Sequence, residues 1–434
     1  LLAAELESGI GLHRYPPVDA PVDAPAELDR GRLLSWAEVA AARIEALARR
    51  LGGGASWIGL AEIADRGWWL RAIDTDFYAG LPGIALFLAY FGAVTGEARF
   101  TRLGEETLPT LRTRIELRKR VRTLGAFDGW GGIVYTWLHL AHLWQREDLL
   151  SEALAMVPRM AALADSDPHL DLFRGAAGGI VPLLHLARIT GSEAPLAVAR
   201  RLGDRLVATA RPYEGGVGWL VSASPLRPLT GFSHGAAGIA WALLELYGAT
   251  GDERFREVAS RGVAFENNLF VPEKGNWPDL RGVPLDKSRE WRSCMAAWCH
   301  GSGGIGLSRL RMLRHLNDPR LAEDARVAVE TTIRHGFGWS HPMCHGDLGA
   351  LELILEAERA LDAPGLDGER DRGLVQLLAS LDQHGFLSGL PGHVEAPGLM
   401  DGLAGLGFGL LRQAFPDRVP SVLLLDPPVA SGLN

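Results

Sequence analysis

The sequence lacks several features that would assign it quickly to a class of proteins. It has three cysteines in 434 residues and no Cys-x-x-Cys pair, so it has neither a disulfide framework nor the paired ligands of many structural zinc sites. No apolar run is long enough to span a bilayer. A net charge of −8 disfavours nucleic acid as a partner. With no recognisable signal peptide, we expect a folded cytoplasmic protein.

Glycine, by contrast, is abundant and recurs at a regular place. The 53 glycines include seven Gly-x-x-Gly steps, each followed by an apolar stretch, at an average interval of about 54 residues. Such an interval accommodates two helices and their connections. The steps begin at Gly80, Gly129, Gly175, Gly235, Gly301, Gly346 and Gly402.

The apolar pattern predicts two layers of helices. The stretches after the steps, such as residues 84–90, are apolar on nearly every side, which predicts buried inner helices. The segments between the steps carry apolar residues at helical spacing, such as Leu33 and Ala40, and predict outer helices. We therefore predict an all-α chain, an α/α toroid of about seven inner and seven outer helices, because the polar end caps of an open solenoid are not recognisable. Residues 31–434 are expected to form one domain after a Pro-rich linker or N-terminal extension at residues 1–30.

In three consecutive units, the dipeptide that precedes the glycine step contains side chains that can bind a metal or transfer a proton. It is Ser-His in the fourth unit and Cys-His in the fifth and sixth. In a closed ring these dipeptides meet at one end of the central axis, and thiolates with imidazole favour zinc. The residues alone leave two arrangements open, an open three-ligand site and a closed Cys2His2 site completed by His300. The dipeptides are Ser233-His234, Cys299-His300 and Cys344-His345.

Several stretches of the chain resemble the lanthionine synthetase C-like cyclases. More narrowly, they are similar to the C-terminal cyclase half of class II lanthipeptide synthetases, over about residues 30–425. The Met-less, Pro-rich start fits a domain excised from such a chain, so a dehydratase domain is expected in the full-length polypeptide. The stretches are DFYAGLPGIALFLAYFG, GFSHGAAGIAWALL, GNWPDLRG, WCHGSGGIGL, CHGDLGALELIL and PGLMDGLAGLGFGLL.

The resemblance implies a zinc-dependent lanthipeptide cyclase. Zinc would be held by Cys299, Cys344 and His345, and a cysteine of the dehydrated precursor peptide would take the fourth position. The peptide thiolate would add to dehydroalanine or dehydrobutyrine and form lanthionine or methyllanthionine. His234 matches the catalytic histidine of the family, and Asp171 matches its partner aspartate.

Other residues are candidates for the lining of this site. The stand-alone cyclases carry an arginine four positions before the first zinc cysteine, whereas this chain has Met295 there, so Arg292 becomes the substitute candidate. Asp128, Asp347 and Asp401 are interpreted as turn or cap residues first and as substrate contacts second. The candidate lining residues are His300, Arg292 and Asp128.

Three other functions remain open from the sequence. A glutathione-adding protein of the same family would share the site. A non-catalytic, zinc-containing toroid that binds peptides would not need His234 and Asp171 to act as a pair. A carbohydrate-active toroid would need two facing carboxylates, for which Asp128 and Asp171 are candidates. The in-register Cys-His motifs weigh against that third alternative.

Overall fold

The fold is built from fourteen α-helices within the part of the chain that the structure describes. This computed structural model describes residue 15 and residues 29–63, 67–118, 121–283 and 293–429. Arg292 and most of the predicted linker lie outside the described residues. Among the described helices, none combines the length and the apolar character needed to cross a membrane.

Seven inner helices begin directly after the first glycine of the seven steps, which confirms the prediction from the repeat. In every unit the second glycine of the step lies against the carbonyl oxygen of the residue six positions earlier, where a Cβ atom would stand 1.7–2.6 Å from that oxygen. This close approach explains why glycine recurs at that place. The inner helices are α2 (Leu81–Thr95), α4 (Trp130–Trp144), α6 (Ala176–Thr190), α8 (Ala236–Thr250), α10 (Ser302–Met312), α12 (Asp347–Ala360) and α14 (Leu403–Ala414).

Seven outer helices alternate with them along the chain. Each inner helix packs on the next inner helix, and α14 packs on α2, so the inner helices form a closed ring. Helix α1 packs on α14, so the first outer helix covers the last inner one. The outer helices are α1 (Arg30–Leu47), α3 (Ala98–Arg118), α5 (Glu147–Leu163), α7 (Glu193–Thr209), α9 (Glu253–Asn267), α11 (Pro319–His335) and α13 (Leu366–His384).

Three short antiparallel hairpins interrupt the helical pattern, and the sequence analysis did not predict them. Each hairpin joins two consecutive strands, so it is a local addition to the toroid. The strands are β1 (Arg49–Leu51) with β2 (Gly54–Ser56), β3 (Ile58–Ile63) with β4 (Gly67–Ala72), and β5 (Arg211–Tyr213) with β6 (Gly216–Gly218).

Backbone hydrogen bonds join the segments that precede the inner helices into a continuous circuit. Each segment donates an N–H to the carbonyl of the segment in the next unit, at 2.8–3.2 Å, and the circuit closes from the seventh unit to the first. Equivalent residues of the seven units therefore lie at one end of the ring. The carbonyls in order belong to Phe127, Phe173, Ser233, Cys299, Cys344, Met400 and Tyr78.

One residue of the predicted linker, Tyr15, packs on the toroid. Its N–H donates to Gly338 O at 2.8 Å, and its hydroxyl donates to Asp347 Oδ2 at 2.7 Å. Asp347 is fully buried at the start of α12, and its other oxygen accepts the N–H of Gly338 at 2.8 Å. The contact satisfies a buried carboxylate two residues after His345.

Candidate active site

A cavity of about 950 Å³ opens at the end of the ring where the inner helices begin. Its lining includes the residue directly before the first glycine in each of the seven units. These residues meet in pairs from neighbouring units, because the backbone circuit places the units side by side. The pairs are Asp128 with Arg174, His234 with His300, and His345 with Asp401.

The pair of His345 and Asp401 belongs to a group of potential metal ligands. One ligand atom each from Cys344, His345 and Asp401 lies within 4.8 Å of the other two. His345 Nε2 donates to Gly389 O at 3.2 Å, so in the neutral ring Nδ1 carries the lone pair. That Nδ1 atom is 3.6 Å from Asp401 Oδ1. The three residues thus present a sulfur, a nitrogen and an oxygen toward one point.

Cys299 lies outside this group and is linked to it by a hydrogen bond between its sulfur and the Cys344 thiol. That bond, together with the positive charge of Arg281, lowers the pKa of Cys299 to about 6 despite its burial. The same bond raises the pKa of Cys344. A sulfur prone to ionise, an imidazole with a free lone pair and a carboxylate oxygen that accepts no hydrogen bond from the described residues form a donor set that fits zinc.

His234 and Asp171 are in direct contact on the same side of the ring. His234 Nδ1 lies 2.7 Å from Asp171 Oδ2, and the Asp171 side chain is only 1% exposed. The other oxygen, Oδ1, accepts the backbone N–H groups of Arg174 and Gly175 at 2.7 and 3.1 Å. The carboxylate is therefore fixed at the entrance of α6 and orients the imidazole, whose Nε2 stays available.

His300 and Arg281 complete the charged lining between these two groups. The ring of His300 is buried and stacks on His234 at 6.1 Å between centroids. Burial and the nearby Arg281 charge lower the pKa of His300 to about 3, so this imidazole is neutral. Arg281 donates from Nε and Nη2 to Asp279 at 3.0 and 2.7 Å, and its Nη2 lies 3.4 Å from Met295 Sδ. The Arg281 guanidinium therefore lies beside Met295, the position at which the sequence analysis noted a missing arginine.

The family model of the lanthionine synthetase C-like proteins matches residues 71–424. The chain belongs to this family. The matched region contains all seven inner helices and both candidate groups of the cavity.

Two known proteins are similar to this chain. The lacticin 481/lactococcin biosynthesis protein LcnDR2 of Lactococcus lactis subsp. lactis is 23% identical over 199 residues, which are 43% of this chain and 20% of that protein. The chain thus spans about a fifth of the length of this curated relative. The solved structure of nisin cyclase is 18% identical and has a TM-score of 0.67, covering 90% of this chain and 96% of that one. This likeness confirms the helical toroid.

The predicted site residues of this C-like protein are brought together at one cavity, with one exception. Cys299, Cys344, His345, His234, His300 and Asp128 line the cavity, and Asp171 contacts His234. Arg292 lies outside the described residues. His300 and Cys299 are not members of the group that Cys344 forms with His345 and Asp401.

The sequence analysis missed or undervalued three residues of this cavity. Arg281 lies in the GNWPDLRG stretch, but nothing in its spacing predicted a half-buried guanidinium beside two cysteines. Asp401 was interpreted first as a cap, although its place before Gly402 is the same as that of His345 before Gly346. The Tyr78 hydroxyl hydrogen-bonds Asp401 and Cys344, and burial and these charges raise its pKa.

Proposed function

We propose that this chain is a zinc-dependent lanthipeptide cyclase. The reaction is the addition of a cysteine thiol of a precursor peptide to a dehydroalanine or dehydrobutyrine of the same peptide. A sulfur–carbon bond forms at the β-carbon, the thiol loses its proton, and a proton is added at the α-carbon, so the mass of the peptide does not change. The observation that carries the proposal is that a Cys-His-Asp group and an Asp-oriented histidine face one cavity in a C-like family member.

Cys299, Cys344 and His345 are the residues that would hold the zinc ion. Bound zinc would lower the pKa of a substrate thiol, which is about 8.5 in a free cysteine, and so favour the thiolate at neutral pH. Gly389 O orients His345 by accepting its Nε2–H. The hydrogen bond from Cys344 lowers the pKa of Cys299 and so favours its thiolate even without a bound metal.

His234 is proposed to move the proton. With Nδ1 held by Asp171, its Nε2 faces the cavity and can take a proton from the thiol or give one to the α-carbon. The Asp171 carboxylate stabilises the protonated ring and fixes its direction, since two backbone N–H groups hold it in place.

Arg281 is proposed to stabilise negative charge in the same space. Its ion pair with Asp279 uses Nε and Nη2 and fixes the plane of the guanidinium. The side chain is 22% exposed and lines the cavity together with Cys299. A fixed cation acts most strongly on developing negative charge where water is largely excluded.

The source of the substrate is a further part of the proposal. Dehydroalanine and dehydrobutyrine are not genetically encoded, so a dehydration reaction on serine and threonine must supply them. We propose a class II arrangement in the cytoplasm, with a dehydratase domain in the same polypeptide. The chain matches one fifth of the length of a lacticin 481/lactococcin biosynthesis protein.

The test combines metal analysis with an activity assay. We expect about one zinc per chain, and loss of free thiol at constant mass when a dehydrated, cysteine-containing precursor peptide is added. Cys344→Ala should lose both zinc and cyclisation while circular dichroism stays unchanged, because few ligands remain. Cys294→Ala, at the cysteine that is not a proposed ligand, is the matched control and should keep the metal. Full metal content and full activity in Cys344→Ala would contradict the proposed ligand set.

A further inference from the structure

We propose that Glu266 is a positioning residue for His234. Its carboxylate fixes the loop that carries this histidine and so sets the contact between the imidazole and Asp171. The inference rests on the proposed function, in which His234 moves a proton.

The first argument is the place of the Glu266 carboxylate against the backbone of that loop. Its Oε1 accepts the N–H groups of Gly231 and Ala237, at 2.9 and 3.0 Å. These two residues lie three positions before and three positions after His234. Ala237 belongs to the first turn of α8, where a backbone N–H has no partner inside the helix, and the N-cap residue Gly235 has no side chain to offer. One oxygen atom from the outer helix α9 therefore ties both ends of the histidine loop.

The second argument is the burial of this contact. Glu266 is 0% exposed, and its Oε2 accepts a hydrogen bond at 2.9 Å from Nη2 of Arg309, which is also 0% exposed. The guanidinium is held in turn by Asp324, whose Oδ2 lies 3.2 Å from Arg309 Nε. Charge-assisted hydrogen bonds of this kind are short and directional. The carboxylate is thus a fixed anchor between α9, α10 and the loop.

The third argument is that the partner of His234 is held in the same way. Asp167 is 3% exposed, and its Oδ2 accepts the N–H groups of Leu170 and Ala176 at 3.0 and 2.7 Å. These two residues lie on either side of Asp171 in the chain. Each member of the pair therefore lies on a loop that a buried carboxylate closes at the start of an inner helix. The 2.7 Å contact within the pair depends on the relative position of the two loops.

Glu266→Gln tests the proposal because it removes one acceptor and keeps the size of the side chain. The charge of Arg309 should hold the amide oxygen on its side, so the new NH2 group faces the N–H groups of Gly231 and Ala237. The single-turnover cyclisation rate at saturating peptide should fall about tenfold to a hundredfold, since a misplacement of about 1 Å can cost about 10²-fold. The peptide concentration for half-maximal rate and the zinc content should stay at wild-type values.

Glu352→Gln is the matched control. Glu352 is 4% exposed, accepts a hydrogen bond from Arg412 Nε at 3.2 Å and does not line the cavity. Arg412 keeps a second carboxylate, Glu356, as Arg309 keeps Asp324. Both variants should lose stability in urea titration, but only the change at the histidine loop should slow the reaction. An equal fall in rate in both variants would assign the loss to general destabilisation and overturn the inference.

Proton NMR measures the contact of His234 with Asp171 without any substrate. The wild type should show a low-field resonance from the Nδ1–H that His234 donates to the carboxylate, identified by its loss in His234→Gln. Glu266→Gln should shift or broaden this resonance, whereas Glu352→Gln should leave it unchanged. An unchanged resonance in Glu266→Gln overturns the inference, whatever the rate.

Glu266→Asp is a second variant that keeps the charge and withdraws the carboxylate by one methylene group. It should change the rate and the resonance in the same direction as Glu266→Gln, and circular dichroism checks that both variants are folded. A wild-type rate with a wild-type resonance in Glu266→Asp would also overturn the inference. If the wild type shows the resonance but does not cyclise a dehydrated peptide, the proposed function fails, and the resonance still decides whether Glu266 positions His234.

Discussion

Replacing Asp171 by asparagine tests the proposed proton transfer, because the change keeps the shape of the side chain. Asp171 Oδ1 accepts two backbone N–H groups, at 2.7 and 3.1 Å, so the amide oxygen of the new side chain will stay on that side. Its NH2 group must then face His234 Nδ1, which lies 2.7 Å from the present carboxylate. Two donors would meet unless the imidazole moves its proton to Nε2. The variant thus holds the histidine in the wrong tautomer and removes the charge that stabilises its protonated form.

The expected loss follows from these two effects. General acid–base catalysis contributes about 10²–10⁴-fold, and we expect the single-turnover cyclisation rate of Asp171→Asn to fall within that range. Loss of a charge-assisted hydrogen bond should lower the free energy of unfolding by about 1.5–3 kcal/mol. Zinc content should stay at the wild-type level, since neither residue belongs to the metal group.

A double-mutant cycle tests whether Asp171 acts through His234. If Asp171 acts only through His234, the Asp171→Asn/His234→Ala variant should be no slower than His234→Ala alone. Rates that multiply instead would show that the two residues act independently. A wild-type rate for either single variant would remove the pair from the reaction.

The remaining predictions concern stability. Tyr15→Phe leaves the buried Asp347 carboxylate without its hydroxyl donor and should lower the free energy of unfolding by about 1–3 kcal/mol in urea titration. Burial lowers the pKa of His341 to about 3, so between pH 6.5 and pH 3 only the unfolded chain binds a proton at this residue. The free energy of unfolding should therefore fall by about 1.4 kcal/mol for each pH unit in that range. His341→Gln should flatten that slope in calorimetry. Gly178→Ala places a Cβ 2.0 Å from a carbonyl oxygen and should cost about 3 kcal/mol or more, whereas Gly368→Ala, in open space, should not destabilise.

The toroid could be predicted from the sequence because one steric requirement repeats in every unit. A carbonyl oxygen approaches the second glycine of each step, so any larger residue is excluded and the Gly-x-x-Gly signal survives in all seven copies. The all-apolar helices after the steps then required an inner layer. The hairpins carried no comparable signal. They are short local pairings such as β5 with β6, which a helical period does not detect.

The candidate site was predictable only in part, for a reason that Arg281 and Tyr15 illustrate. The repeat placed the residues before each first glycine on one rim, so Cys299, Cys344, His345 and His234 could be grouped. Arg281 reaches the rim from the connection between α9 and α10, and Tyr15 reaches Asp347 from more than 300 positions away in the chain. Long-range contacts of connecting segments leave no periodic trace in a sequence.

The order of the units around the ring determines which side chains lie next to each other at the cavity. Because each unit hydrogen-bonds to the next, the residues before the first glycines follow the sequence His234, His300, His345 and Asp401 around the rim. His300 thus lies between the histidine proposed to move protons and the group of Cys344, His345 and Asp401. A peptide whose sulfur lies at Cys344 and whose α-carbon lies near His234 must cross the neutral, buried ring of His300. A cationic side chain there would attract the thiolate and repel the metal ion, and an anionic one would repel the thiolate. The uncharged imidazole of His300 does neither.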